Sequence, residues 1–191
     1  PRVLDQLFAH SGVDGRHLAL PLERYYGLRN FGEFNQAWIE AAQELGENAI
    51  RCAMGRAGFD LSRIGALFFV SVTGVASPSI DARLINRMGL PVGIRRTPIF
   101  GLGCVAGAAG VARAADYVRA YPDQVVVLLA VELCSLTLQR EDLSMANLVS
   151  SGLFGDGAAA VVVAGTDVEA NGPQILATRS VFYPDTEDVM G

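Results

Sequence analysis

Apolar and polar positions along the chain follow two patterns. Residues 66–72 (ALFFVSV) and 125–131 (VVVLLAV) are apolar without alternation, which predicts strands covered on both faces. Around them the period is helical. Residues 33–54 set Phe34, Trp38, Ala42, Leu45, Ala49 and Ile50 on one face, with Gly58 as the stop signal. Cys52 lies on this helix and reads as a core residue. Shorter helices are expected over residues 2–11, 79–88 and 141–151, and a long small-residue helix from Cys104 to about residue 120. Its alanines and glycines permit close packing, so it is expected to be buried at the centre. Residues 12–31 read as loop, as do residues 89–97 with Arg95 and Arg96. A turn at Phe154-Gly155-Asp156-Gly157 leads into a strand over 158–164, and a last strand is expected over 174–182. Helices alternating with buried strands predict an α/β domain with a mostly parallel sheet covered by helices. No linker or repeat divides residues 1–191, which read as a single domain.

Composition narrows the chemistry. The chain is 51% hydrophobic and 18% charged, as globular proteins are. A net charge of -5 lacks the basic face that nucleic acid requires. All 15 basic residues are arginine, so a catalytic lysine is excluded. Cys52, Cys104 and Cys134 lie far apart, without CxxC or Cys/His pairing, which supports neither a disulfide framework nor a zinc site. His10 and His17 have no second ligand at metal spacing. No signal peptide or bilayer-length apolar run is recognisable, and the expectation is a reduced, cytoplasmic protein without a membrane partner.

The stretch PIFGLGCVAGAAGVARAAD offers the strongest candidate chemistry. Its glycines allow close approach by a backbone or substrate, and a helix N-terminus favours an anion, so Cys104 can be presented as a thiolate nucleophile. Cysteine is also among the most buried residue types, and a structural Cys104 is the competing reading. Gly101-Leu102-Gly103-Cys104-Val105-Ala106 also fits GxGxx(G/A), with Glu132 as a ribose-binding acid. The short, proline-bearing run before it and the spacing to Glu132 fit that dinucleotide motif poorly. Glu132 can equally be a satisfied structural carboxylate, and Asp156 a turn residue bonded to its own backbone.

GLGCVAGAAGVARAADYV, then VELCSLT, then LVSSGLFGDGAAAVVV resemble, in order and spacing, the type III polyketide synthases of the chalcone and stilbene synthase family. SVTGVASP and YPDTEDVMG also look like family segments. LFGDGA alone resembles the wider thiolase superfamily, which leaves a ketoacyl synthase III-like enzyme as the alternative. The resemblance implies a thiolase-like fold of two similar halves, of which this chain would supply the N-terminal half, and a homodimer. It implies an acyltransferase that condenses a starter acyl-CoA with malonyl-CoA, using CoA thioesters as substrates and no cofactor. Cys104 matches the nucleophile and Phe154 the aromatic gatekeeper. Thr73, Cys134, Leu136, Thr137 and Ser150 match cavity positions, and Ser77 the position reaching across the dimer interface. His10 matches a CoA-contacting position approximately. The family's catalytic histidine and asparagine belong to the second half, so the chain alone is expected to be inactive.

Overall fold

The computed structural model describes residues 2–186 and residue 189. Its sheet comprises β1 (Ile64–Val70), β2 (Arg95–Ile99), β3 (Val125–Leu133) and β4 (Asp156–Ala164), in the order β2-β1-β3-β4. β1 runs parallel to both β2 and β3, and β4 is antiparallel to β3. The helices are α1 (Arg2–His10), α2 (Leu22–Tyr25), α3 (Phe31–Ala57), α4 (Ile80–Met88), α5 (Ala106–Ala120) and α6 (Met145–Leu153). The architecture is α/β, as the hydropathy pattern predicts.

The unbroken apolar runs divide by strand alternation. Leu67 and Phe69 of β1, with Val127, Leu129 and Val131 of β3, pack towards α3 and α4. Ala66, Phe68 and Val70, with Val126 and Leu128, pack towards α5. Helix α3 meets the sheet through Trp38, Ala42, Gly46, Ile50 and Met54, all buried and spaced four residues apart. A Cβ on Gly46 would sit 3.1 Å from Leu129 and Leu84, so the helix axis comes close to the strands there. The start of α3 is closed reciprocally. Asn30 Oδ1 accepts from the Glu33 N–H, while Glu33 accepts from the Asn30 amide and the Arg29 N–H. Gly58, at φ 73°, ends it.

Several expectations are corrected. Residues 95–99 form a strand, not part of a loop. Among the described residues β2 lies at the sheet edge with β1 as its one neighbour, which explains its exposed arginines and its tolerance of Pro98. Residues 174–182 form no strand, because they pair with none of the described residues; Leu176 and Phe182 stand exposed. The helix expected from residue 141 begins at Met145, where Ser144 caps it by accepting from the Asn147 N–H. Cys52 is exposed, on the solvent side of α3. Helix α5 is covered on one face only: Ala106, Gly110, Ala114, Ala115 and Val118 meet the sheet, while Gly107 and Ala108 are exposed. Part of the YPDTEDVMG segment lies outside the described residues.

Candidate active site

The parallel strands deliver their C-terminal ends to one edge of the sheet, where α/β folds hold their ligands. Thr73 and Ser77 follow β1, Cys104 follows β2, and Cys134, Leu136 and Thr137 follow β3. β4 runs the other way, so Phe154, just before it, arrives at the same end.

Cys104 is exposed on a single 3-10 turn, Gly103–Val105, placed ahead of α5. Gly101 and Gly103 adopt φ 88° and 52°, values that favour glycine, so the tight turn that holds the thiol out requires both. No side chain caps the turn or the start of α5, which leaves first-turn N–H groups free of side-chain partners. Phe100, Leu102 and Val105, close to the cysteine in sequence, are exposed apolar residues.

Glu132 is fully engaged. Its carboxylate accepts from the Val72 N–H at 3.1 Å, from Thr73 Oγ1 at 2.8 Å and from Ser71 Oγ at 3.3 Å. Thr73 Oγ1 in turn accepts from the Trp38 indole N–H at 3.1 Å and the Leu133 N–H at 2.9 Å. Glu132 is thus the satisfied structural carboxylate. The glycine turn follows a five-residue edge strand, and the acid expected to hold a ribose is already occupied, so the dinucleotide reading fails.

Asp156 does not bond its own turn. Its carboxylate reaches the Ser135 N–H at 2.8 Å and the Ala19 N–H at 2.5 Å, contacts invisible to local sequence patterns because Ala19 lies 137 positions away. Cys134, beside Ser135, is half-buried. Burial, and then the charges of Glu132, Asp156 and Cys104, push its thiol up to about 11. Cys134 therefore stays neutral across the neutral range.

A groove of about 840 Å³ brings together Thr73, Leu136 and Thr137 with Phe34 and Arg140. Its walls are α3 and the segment after β3, on the opposite side of the sheet from α5. Cys104, Cys134, Phe154, Ser150 and Ser77 do not line it. The Thr137 hydroxyl donates to the Cys134 carbonyl, and that of Ser150 to Ala146. Phe154 is half-exposed at the end of α6. Ser77 is exposed before a cis peptide bond to Pro78. His10 is exposed at the end of α1, which packs beside α6. Among the described residues no group of three His, Cys, Asp or Glu could hold a metal ion, and no helix is long and apolar enough to cross a membrane.

The family profile of the chalcone and stilbene synthases, N-terminal domain, matches residues 28–167. The chain belongs to this family. It is 52% identical over 192 residues to a 1,3,6,8-tetrahydroxynaphthalene synthase of Streptomyces peucetius subsp. caesius, covering 99% of this chain and 51% of that protein. A putative chalcone synthase of Bacillus subtilis (strain 168) is 38% identical over 96% of this chain and 53% of its own length. The crystal structure of a bacterial type III polyketide synthase, the 1,3,6,8-tetrahydroxynaphthalene synthase of Streptomyces coelicolor A3(2), superposes with a TM-score of 0.92 at 36% identity. That match covers 98% of this chain and 53% of that structure. The chain thus spans about half the length of the relatives it matches, and its fold is the thiolase-like one of the type III polyketide synthases.

Proposed function

We propose that this chain is the nucleophile-bearing N-terminal half of a type III polyketide synthase, a homodimeric enzyme of the cytoplasm. Cys104 attacks the carbonyl of an acyl-CoA, and the CoA thiolate leaves. Malonyl-CoA then loses CO2, its carbanion forms a carbon–carbon bond with the acyl group, and the bond to the Cys104 sulfur breaks. The observation that carries this reading is the exposed thiol on a two-glycine turn, at the strand end where Thr73, Cys134 and Phe154 also emerge.

In this reading Phe154 gates the path to the cavity, and Thr73, Cys134, Leu136, Thr137 and Ser150 shape it. Ser77 reaches the partner subunit's cavity, and His10 contacts CoA. Three similar proteins, at 52%, 38% and 37% identity, are named 1,3,6,8-tetrahydroxynaphthalene synthase, so a polyhydroxylated naphthalene is the product we infer. The base and further donors come from the second half of the fold, and the 191-residue chain alone turns over no malonyl-CoA.

The test incubates the full-length enzyme with a panel of acyl-CoAs and malonyl-CoA, and reads peptides and products by mass spectrometry. Acyl mass on the Cys104 peptide, absent in Cys104→Ala, is expected together with an aromatic product. A parent enzyme that turns over while Cys104 stays unmodified, or steady turnover by the fragment, overturns the proposal.

A further inference from the structure

The segment before α2 reads as loop in sequence, yet it is laced to the candidate site at several points. The Asp156 N–H donates to the His17 carbonyl at 3.0 Å. The Asp156 carboxylate accepts from the Ala19 N–H at 2.5 Å, from the Ser135 N–H at 2.8 Å and from the Ser135 hydroxyl. Arg16 packs its Cβ against Gly155, where an added Cβ would lie 3.3 Å away.

The proton directions in this network are fixed by counting donors. A carboxylate only accepts, and Ser135 has one hydroxyl proton, so that proton points to Asp156. At the 2.6 Å contact between the Tyr25 and Ser135 oxygens, the phenol must therefore donate. The Tyr25 oxygen in turn accepts from the Leu20 N–H at 3.2 Å. The relay runs from Leu20 through Tyr25 and Ser135 to Asp156, with each proton used once. Tyr25 is buried, and its carbonyl accepts from Arg140, just beyond the Cys134–Thr137 turn.

The Asp156 carboxylate joins residues 17–20 to the Cys134–Thr137 turn, and Phe154 stands two residues before it in the chain. The turn is a 3-10 helix, in which successive side chains splay by about a third of a turn. Holding Ser135 towards Asp156 therefore fixes where Cys134 and Leu136 can point. We propose that Asp156 is a positioning residue that sets acyl-group selection, by locking the Cys134–Thr137 turn to residues 17–20 through Ser135 and Tyr25. This rests on the polyketide synthase reading for the meaning of the cavity, not for the network itself.

The test uses the full-length enzyme with Asp156→Asn and Tyr25→Phe. Asparagine keeps the shape but offers one acceptor oxygen where three donors converge; phenylalanine removes the phenol's bonds to Ser135 and Leu20 and leaves those between Ser135 and Asp156 in place. Acyl loading of Cys104 is read across acyl-CoAs of graded length, and amide exchange is followed at residues 134–137. Both variants are expected to shift the long-to-short loading ratio by about tenfold or more. Both should also raise exchange at residues 134–137 and leave β1 and β3 protected. An unchanged ratio with a lowered thermal midpoint makes Asp156 merely structural and overturns the proposal. If the parent itself loads no acyl group, the polyketide synthase reading fails instead. The exchange arm then still decides: unchanged protection at residues 134–137 overturns the positioning role.

Discussion

The Thr73 hydroxyl donates to the Glu132 carboxylate at 2.8 Å and clasps the C-terminal ends of β1 and β3. Without that carboxylate, the Val72 N–H and the Thr73 hydroxyl lose their acceptor. Glu132→Ala should destabilise the chain by about 1–3 kcal/mol, and Glu132→Gln by less. Urea unfolding of the two variants beside the parent checks this, and equal midpoints for all three would refute it.

Gly74 lies flat against Trp38. A Cβ there would fall 2.0 Å from the indole, and the same indole donates to Thr73. Gly74→Ala should displace the ring, break that hydrogen bond and cost about 1–3 kcal/mol. Trp38 is the chain's single tryptophan, so its emission maximum in the 191-residue chain reports the displacement directly.

Thiol reactivity should separate the cysteines. Cys104 and Cys52 are exposed, whereas Cys134 is half-buried with its thiol held up to about 11. Iodoacetamide near neutral pH is expected to label Cys104 and Cys52 ahead of Cys134, read by peptide mass spectrometry. Removing the neighbouring charge with Glu132→Gln lowers the Cys134 value and speeds its labelling. The same shift has a stability sign. Unfolded Cys134 loses its proton first as pH rises, so its contribution is full below the ordinary thiol range and is lost on approaching about 11. Cys134→Ala should flatten that alkaline decline.

Asp81 is wholly buried and accepts from Arg96 at 2.6 Å and from Ser79. Arg96→Ala leaves the carboxylate without its cation and should cost about 3–5 kcal/mol. The double variant Asp81→Asn, Arg96→Ala should recover part of that loss in thermal unfolding. A double variant as unstable as the single would contradict the pairing.

What could be read in the sequence follows from how locally each feature is encoded. α3, β1 and β3 announce themselves because their burial is periodic or continuous along the chain. β2 does not: Arg95-Arg96-Thr97-Pro98 is polar and proline-bearing, as an edge strand with one neighbour can be. Cys104 was legible through its flanking glycines, which the structure uses at positive φ. The network of Ser135, Tyr25 and Asp156 was not, since Tyr25 meets Ser135 and Ala19 meets Asp156 across more than a hundred residues of chain. The strand expected over residues 174–182 carries apolar residues such as Ile175, Val181 and Phe182, but these alone supply no neighbour to pair with.

The two glycines near the start of α5 have different standing. A Cβ on Gly110 would come 2.6 Å from the Leu128 side chain, which would have to shift, whereas Gly107 has nothing within 4 Å of one. A helical glycine forgoes up to about 1 kcal/mol relative to alanine. At Gly110 the Leu128 side chain favours glycine; at Gly107 no neighbour among the described residues does. The helix behind the Cys104 turn is consequently softer on its open side than its own packing demands, and a single methyl group at Gly107 would stiffen it without touching the sheet.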